Sequence, residues 1–420
     1  MTTAKAPRAA TADRQARLAV FSIFALSGVI CSLWSTSLPT VNSRLHLGET
    51  RLGVVLLLTA AGAVAVMPLT GRLCDRLGSR AVLRVGAPLS ALTLVGPALA
   101  RGYPVLLGLA CLLGVGIGSL DVAMNAHAIV VERHYGRAIM SAFHGFWSVG
   151  GVLGSAVIAV GLHLRARDSA LSIAGAIASA ALLIVPGPML LRGGRRELPA
   201  AGGPAGGEPA AAPAGARHGV VLLLGVVAAA GFICEGAAYN WAPLHAIREL
   251  HAAPATAALT YTVFATMLTT GRLTGDWMRR WLGEVRAMVC AGGVAVCGFL
   301  LVALAPSLAS GGLACDYAGW AVTGLGLATV VPAIFSAVGA RDAGIGRALS
   351  WVAVCAYGGE MAGPAVIGLL AGATSLRTAM LLPGGLAALI TVLGPVAIIK
   401  ARHPAGPVRA GHPAGRELAR

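Results

Sequence analysis

A short stretch of the chain places an aspartate, an asparagine and a histidine within seven positions, directly after an apolar run. It reads GSLDVAMNAHAIVVERHYGR and begins at Gly118. At about 100° per residue, Asp121 and Asn125 share one helical face with Gly114, Gly118 and Glu132. A charge in the middle of an apolar helix costs about 2.5 kcal/mol or more in a bilayer, so it should face a protein interior or water.

This pattern favours a chemical role for the two polar residues. We predict that Asp121 binds a proton, or a hydroxyl or amine of a solute, with Asn125 as its hydrogen-bonding neighbour. The alternative is that Asp121 fixes its helix against another helix. His127 points away from Asp121 on the same helical wheel and is predicted to be structural.

Further polar residues stand inside other apolar stretches. Glu235 lies near the centre of one stretch, with Tyr239 one turn later on the same face, and Glu360 lies in another. His144 is a candidate proton relay because histidine titrates near neutral pH, and it is expected at the depth of Asp121. For each of these residues, packing between helices is the alternative.

Two residues nearer the ends of apolar stretches complete the set. Trp34 either lines a cavity or packs as an aromatic side chain, and Asp316 is expected to be solvated. No lysine or arginine stands in the middle of the first, fourth, seventh or tenth apolar stretch. Since an anion would need such a cation, a neutral polyol-like or a cationic solute is expected.

The chain that carries these residues is very apolar. It has 420 residues, of which 57% are hydrophobic and 11% charged, and its mean hydropathy is +0.79. A soluble chain has about 25% charged residues, so the composition excludes a soluble enzyme. The formal net charge of +16 raises the possibility of nucleic-acid binding. The basic residues lie between apolar stretches, however, which indicates membrane topology and no nucleic-acid partner.

Several kinds of chemistry have no signature in the sequence. The eight cysteines are scattered, without a C-x-x-C pair or metal-ligand spacing. No P-loop pattern for ATP is present. No nucleophile, metal set or pair of catalytic acids stands out. We therefore predict a protein that is not an enzyme, holds no cofactor or metal, and draws its energy from an ion gradient, with the proton as the ion.

Twelve apolar stretches are long enough to cross a membrane as helices. They lie at about 18–40, 52–71, 81–100, 104–130, 138–162, 169–191, 219–243, 255–275, 287–306, 313–338, 348–371 and 377–400. The predicted organisation is an N-terminal tail, a six-helix bundle, a flexible linker, a second six-helix bundle and a disordered tail, at 1–17, 18–191, 192–218, 219–400 and 401–420. Lysine and arginine concentrate on one side, which predicts cytoplasmic termini.

Two motifs recur about half a chain apart. GRLCDRLGSR begins at Gly71 and GRLTGDWMRR at Gly271, while GRAIMSAFHGFWSVGG begins at Gly136 and GRALSWVAVCAYGGEMAG at Gly346. Each pair lies beside the equivalent span of its half. Internal duplication in a multi-span chain is typical of transporters that rock one half against the other.

The first of these motifs resembles the G-x-x-x-D-R-x-G-x-R signature of the major facilitator superfamily. Its positions are filled by Gly71, Asp75, Arg76, Gly78 and Arg80. In the second copy the acid, Asp276, is shifted by one place. The resemblance implies an all-α fold of twelve transmembrane helices in two pseudo-symmetric bundles, with spans 1, 4, 7 and 10 lining a central cavity.

The same resemblance implies a role for the loop motif. These five residues would form a conformational latch at the cytoplasmic end, where Asp75 meets charges or a helix N-terminus of the other half. An acid at a helix N-terminus is electrostatically favourable. For the arginines of the motif, positive charge on the cytoplasmic side is the alternative.

A narrower resemblance concerns one branch of the superfamily. The segments LDVAMNAHAIVVERHYGRAIMSAFHGFWSVGG and CEGAAYNWAPLH are similar to its MosC-like branch, which implies a polytopic permease. The context of the protein that gives this branch its name hints at inositol-like or aminocyclitol compounds as substrates. Gly150, Gly151 and Gly154 resemble the glycine-rich antiporter signature of span 5, although its proline is missing.

These observations predict a secondary active transporter for a small polar solute. It would work by alternating access, with proton coupling through Asp121 or Glu235, as a monomer in the bacterial cytoplasmic membrane. Its partners would be the solute and the lipid bilayer. One alternative is an exporter of a drug or secondary metabolite, and another is a membrane sensor or assembly protein that does not transport.

Overall fold

The structure is a computed structural model that describes residues 7–191, 214–308, 310–340 and 345–402. Within these residues every regular element is a helix, because the apolar stretches satisfy their backbone hydrogen bonds internally. Eleven helical segments of this part of the chain are long and apolar enough to cross a membrane. The protein is therefore an all-α, multi-pass membrane protein.

Fifteen α-helices follow one another along the described residues. In the first half they are α1 (Pro7–Leu45), α2 (Gly48–Leu77), α3 (Ser79–Leu92), α4 (Val95–Leu99), α5 (Tyr103–Tyr135), α6 (Met140–His163) and α7 (Asp168–Ile184). In the second half they are α8 (Ala214–Leu250), α9 (Pro254–Leu282), α10 (Glu284–Leu304), α11 (Gly312–Leu327), α12 (Val330–Gly339), α13 (Ile345–Ala373), α14 (Leu376–Ala379) and α15 (Leu381–Arg402).

These helices form twelve spans. The third span consists of α3 and α4, the tenth of α11 and α12, and the twelfth of α14 and α15. An even number of spans brings the start of α1 and the finish of α15 to the same end of the bundle, called the terminal end below. The finishes of α2 and α9 and the starts of α6 and α13 also lie there.

The eighth span, α9, differs from the other spans in composition. It has 29 residues but is not among the eleven apolar segments, and charged residues occupy its last three turns. Arg272, Asp276 and Arg279 are nevertheless at most 5% exposed. Buried charge is stable only when it is paired, so α9 is held by contacts with other helices.

Both halves use the same packing scheme. In the first half α1 packs on α6, α2 on α5, and α3 on α7. In the second half the equivalent spans pair in the same way, with α8 on α13, α9 on α11, and α10 on α15. The repeated sequence motifs therefore correspond to a repeated structure.

Small residues permit the closest helix contacts. The backbone of Gly114 lies against Thr59 and that of Gly118 against Ala63, so α5 touches α2 directly. On α6, Gly150 lies against the backbone of Ala25 in α1. The glycine-rich stretch of span 5 therefore serves close packing of α6 on α1.

Glycines also shape the two equivalent turns at the terminal end. Gly78, between α2 and α3, has φ 84° and ψ 142°, and Gly283, between α9 and α10, has φ 75° and ψ 155°. Only glycine adopts this region without strain. The helices that carry the two motifs, α2 and α9, are thus followed by the same backbone conformation.

Two helices begin inside segments that were predicted to be a tail and a linker. Helix α1 begins at Pro7, within the predicted tail of 1–17, and α8 begins at Ala214, before the predicted end of the linker. The rest of the predicted linker and the tail beyond Arg402 lie outside the described residues.

Candidate functional site

Asp121 and Asn125 lie one turn apart on α5 and contact each other. The Asn125 Nδ2 donates to the Asp121 carbonyl oxygen at 2.9 Å and to its Oδ1 at 3.2 Å. Asn125 is fully buried, whereas Asp121 is partly exposed. The asparagine therefore positions the aspartate, as the sequence suggested, and leaves its carboxylate partly open.

Glu360 on α13 faces the interior between the two halves. Its side chain is exposed, yet it interacts electrostatically with Asp121 on α5 and with Glu235 on α8. A side chain that faced lipid would not be close to carboxylates of both halves. Tyr357, one turn earlier, is also within electrostatic range of Asp121 and of Cys31 on α1.

Glu235 on α8 forms an ion pair that the sequence did not predict. Arg272 on α9 donates through Nη2 to both Glu235 carboxylate oxygens, at 3.0 and 2.9 Å. Both side chains are less than 10% exposed. Arg272 had no predicted role, although an arginine inside an apolar stretch is itself a signal for a buried partner.

Aromatic residues extend the site along α8 and α9. Tyr239 is 39% exposed, and its ring lies 5.4 Å from that of Tyr261 and 6.1 Å from that of Phe264. Tyr239 and Tyr261 both interact electrostatically with Glu235 and Arg272. The second half thus contributes an ion pair flanked by two phenols.

His144 lies elsewhere than predicted. It is one turn from the start of α6, about 6 Å along the axis, whereas Asp121 is about 21 Å from the finish of α5 at the same end. The two residues are therefore not at the same depth. The His144 ring packs against Phe24 of α1 and Phe335 of α12, at 5.3 and 5.8 Å between centroids.

Trp34 lies in a buried apolar cluster. It is 5% exposed and shares the cluster with Leu33, Val41 and Leu106. This burial favours the packing alternative over a place in the cavity lining.

The residues along the polar stripe of α5 make different kinds of contact. Its glycines pack against α2, whereas Glu132, near the finish of the helix, accepts hydrogen bonds from the backbone N–H groups of Ile139 and Met140 at 3.0 and 3.1 Å. His127 is fully buried, and its Nδ1 lies 2.9 Å from the Ser79 hydroxyl. Of this stripe, Asp121 is within electrostatic range of Tyr357 and Glu360 on α13.

Asp75 connects the two halves at the terminal end. Its carboxylate accepts hydrogen bonds from the backbone N–H groups of Gly346 and Arg347, at 2.8 and 3.0 Å, in the first turn of α13. The backbone of Gly71 lies directly against Gly346 and the Ser350 side chain. A side chain at Gly71 would therefore separate α2 from α13.

The other motif residues act within the first half. Gly78 supplies the turn with positive φ described above, and Arg80 donates through Nη2 to the Pro188 carbonyl oxygen at 3.2 Å. Arg76 is exposed. Of the five predicted latch residues, the structure brings Gly71 and Asp75 to the other half.

Asp276 makes the equivalent contact in the second half, despite its shifted position in the motif. Its oxygens accept from the N–H groups of Ser141 and Ala142, at 3.1 and 2.7 Å, in the first turn of α6. Arg279 lies beside it, with Nη1 at 3.5 Å from Oδ1, and also contacts Glu284 at 3.3 Å.

The prediction that Asp316 is solvated was wrong. Asp316 on α11 is fully buried, with its Oδ1 3.0 Å from the Nδ1 of His245 on α8, which is also fully buried. Hydropathy placed Asp316 near the end of a span, but it gave no information on the histidine of another helix.

The fold and the placement of charge define a class of protein. The twelve spans form two equivalent halves that meet at a partly polar interior. The same backbone geometry recurs in two turns at the terminal end. The chain belongs to the Major Facilitator Superfamily, since residues 20–342 match the profile of that family.

Individual relatives agree with this assignment. The chain is 33% identical over 382 residues to the uncharacterized transporter y4wD of Sinorhizobium fredii, covering 89% of this chain and 96% of the relative. It is 31% identical over 362 residues to the membrane protein MosC of Rhizobium meliloti, covering 85% and 84%. It is thus similar to a MosC protein, as its segments indicated.

Solved structures share the fold. The transporter FucP in its outward conformation superposes with a TM-score of 0.70 at 18% identity, covering 90% of this chain and 98% of that one. A second FucP structure, of the E. coli fucose:proton symporter, gives a TM-score of 0.64 at 17% identity, covering 90% and 98%. The resemblance establishes the major facilitator fold for this chain.

Proposed function

We propose that this transporter moves a small polar solute, either polyol-like and neutral or cationic, and couples its movement to protons. The observation that carries the proposal is the balance of charge in the interior. Asp121, Glu235 and Glu360 interact with one another through Glu360, whereas Arg272 already pairs with Glu235. Among the described residues, no cationic side chain pairs with Asp121 or Glu360.

This charge balance favours particular ligands. Two carboxyl groups without a cation can take up protons, bind an amine, or accept hydrogen bonds from hydroxyl groups. An anion would be repelled unless it displaced Glu235 from Arg272. The proton role therefore belongs to Asp121 first, with Glu360 as its neighbour, because Glu235 is ion-paired with Arg272 in this state.

The contacts between halves support alternating access. Asp75 and Asp276 close the terminal end by binding the first turns of α13 and α6. If both termini are in the cytoplasm of a bacterial inner membrane, this state is closed to the cytoplasm. The transporter is proposed to work as a monomer.

The fold of FucP is consistent with such a solute. FucP is described as a fucose:proton symporter, so this fold can accommodate a polyhydroxy solute together with a proton. A shared fold does not determine the substrate, however, and the charges of the site carry the argument.

The proposal is tested by proton flux in liposomes. The purified protein would be reconstituted with an entrapped pH dye under an imposed pH gradient, and polyols, aminocyclitols and cationic compounds would be added in turn. We expect one class to accelerate proton flux, and Asp121→Asn to abolish this acceleration. Asp13→Asn is the matched control, because Asp13 pairs with His134 at the terminal end, away from the interior.

The direction of transport separates import from export. Proton flux in the same direction as the solute identifies symport, whereas opposite fluxes identify a proton antiporter that exports a cationic compound. The carboxylates of Asp121 and Glu360 would carry the proton in symport and in antiport. If a solute moves and Asp121→Asn keeps full proton coupling, the role proposed for Asp121 is wrong.

A further inference from the structure

Arg272 lies at the inner end of the contact between α6 and α9. Towards the terminal end, the Leu273 side chain covers Gly145, Asp276 binds the first turn of α6, and Arg280 donates to the Ala138 carbonyl oxygen at 3.1 Å. These contacts form one continuous seam between the two halves, called the α6–α9 seam. Arg272 is the residue of this seam that reaches the interior carboxylates.

The guanidinium group divides its hydrogen bonds between the halves. Nη2 binds both oxygens of Glu235, within the second half, and Nη1 donates to the Ser148 Oγ at 3.1 Å, in the first half. Arg272 is 5% exposed. A planar guanidinium has fixed donor directions, so its position on Glu235 also sets the position of Nη1 relative to Ser148.

We propose that Arg272 is a positioning residue that transmits the charge state of Glu235 to the α6–α9 seam. This inference rests on the proposed function and adds the route by which an event at the carboxylates opens the terminal end. With Glu235 ionised, two charge-assisted hydrogen bonds hold the guanidinium where Nη1 meets Ser148. Ser148 then ties the first half to the second.

Neutralisation of Glu235 reverses this arrangement. When Glu235 gains a proton, or when a cationic group of the solute takes its carboxylate, the buried guanidinium loses its counter-charge. An unpaired charge in such a place is strongly unfavourable, so Arg272 moves towards another anion or water. The hydrogen bond to Ser148 is lost in this movement, and the seam weakens.

Other titratable groups surround the ion pair and take part in setting its charge. They lie on four helices: His144 on α6, Cys234 and Tyr239 on α8, Tyr261 on α9 and Glu360 on α13. Of these groups, Glu360 links the pair to Asp121. An event at Asp121 can therefore reach Glu235 electrostatically.

Hydrogen–deuterium exchange in lipid nanodiscs tests the proposal without any transport. The N–H groups of Ser141 and Ala142 are protected by Asp276 while the seam is closed, and their exchange rises with the population of the open form. We expect Ser148→Ala to raise exchange at 139–147 about tenfold, as for the loss of a hydrogen bond to a charged group. Exchange at 345–350, the contact of α13 with α2, should rise in parallel.

Ser155→Ala is the matched control on the same helix. Ser155 bonds Ser32 of α1 at 2.6 Å, within the first half, so its removal should leave the seam unchanged. Unchanged exchange in Ser148→Ala, an equal effect of Ser155→Ala, or a rise at 139–147 without one at 345–350 would each overturn the proposal. The last result would indicate local fraying of α6.

A double-mutant cycle tests the coupling itself. Glu235→Gln should raise exchange in the wild-type background but add little in Ser148→Ala, because both changes break the same connection. Additive effects would contradict the proposal. Non-additive effects without proton flux in liposomes would support the role of Arg272 while the proposed function fails. Additive effects together with proton flux in liposomes would support the proposed function and contradict the role of Arg272.

Discussion

Asp75 and Asp276 occupy equivalent places at the terminal end, and each binds the first helical turn of a span in the opposite half. Asp75 accepts from Gly346 and Arg347, while Asp276 accepts from Ser141 and Ala142. The first turn of a helix offers unpaired N–H groups and a positive dipole end, which a carboxylate satisfies. The two halves are therefore joined by two related electrostatic caps.

Removal of either cap should open the terminal end. We predict that Asp75→Ala raises hydrogen exchange at Gly346 and Arg347, and that Asp276→Ala does so at Ser141 and Ala142, each by the equivalent of about 1 kcal/mol. The asparagine variants should show a smaller effect, since asparagine still accepts a hydrogen bond.

Equal exchange in the alanine and wild-type proteins would show that these caps do not hold the halves together. Asp13→Ala is the control for the loss of a carboxylate at the same end.

The glycines of the two equivalent turns, Gly78 and Gly283, which have positive φ, should each be necessary for stability. Replacement of Gly78 or Gly283 by alanine forces a side chain into a backbone region that costs about 1–3 kcal/mol. We therefore predict a lower midpoint of thermal unfolding in detergent for both variants. Gly86→Ala is the control, because Gly86 lies inside α3 with open space around it; a loss as large there would remove the conformational explanation.

The buried pair of His245 and Asp316 should behave as a unit. Either single change, His245→Phe or Asp316→Leu, leaves one buried polar group without its partner, at a cost of about 3–5 kcal/mol if that partner is charged. We expect the double variant to be more stable than the less stable single variant, measured by thermal unfolding. Strictly additive losses would show that the 3.0 Å contact contributes nothing.

Asn125 should influence transport through Asp121. Asn125→Leu keeps a similar volume but removes both hydrogen bonds to Asp121, so the carboxylate loses its fixed orientation. We predict that solute-driven proton flux falls about tenfold while thermal stability changes little. Ser119→Ala, about two turns earlier on α5, is the control; its hydroxyl accepts a hydrogen bond from Thr70 on α2. Full proton flux in Asn125→Leu would show that Asn125 contributes only to packing.

Hydropathy and helical periodicity were sufficient to predict the spans. A run of about 20 apolar residues must form a helix in a bilayer, whatever its neighbours, because its backbone groups have no other partners. The sequence likewise identified Asp121, Glu235 and Glu360, since an ionisable residue inside such a run is visible without a structure. The loop motif identified the family, whose fold the structure confirms.

Which side chains of different helices contact each other was decided by the tertiary structure alone. Periodicity places a residue on a face and at a depth of its own helix, but it does not say which other helix meets that face. Arg272 and Glu235 are 37 residues apart in sequence, Ser141 and Asp276 are 135 apart, and Asp75 and Gly346 are 271 apart. These pairs decide which carboxylate is neutralised and where the halves join, because charge is balanced across space and not along the chain.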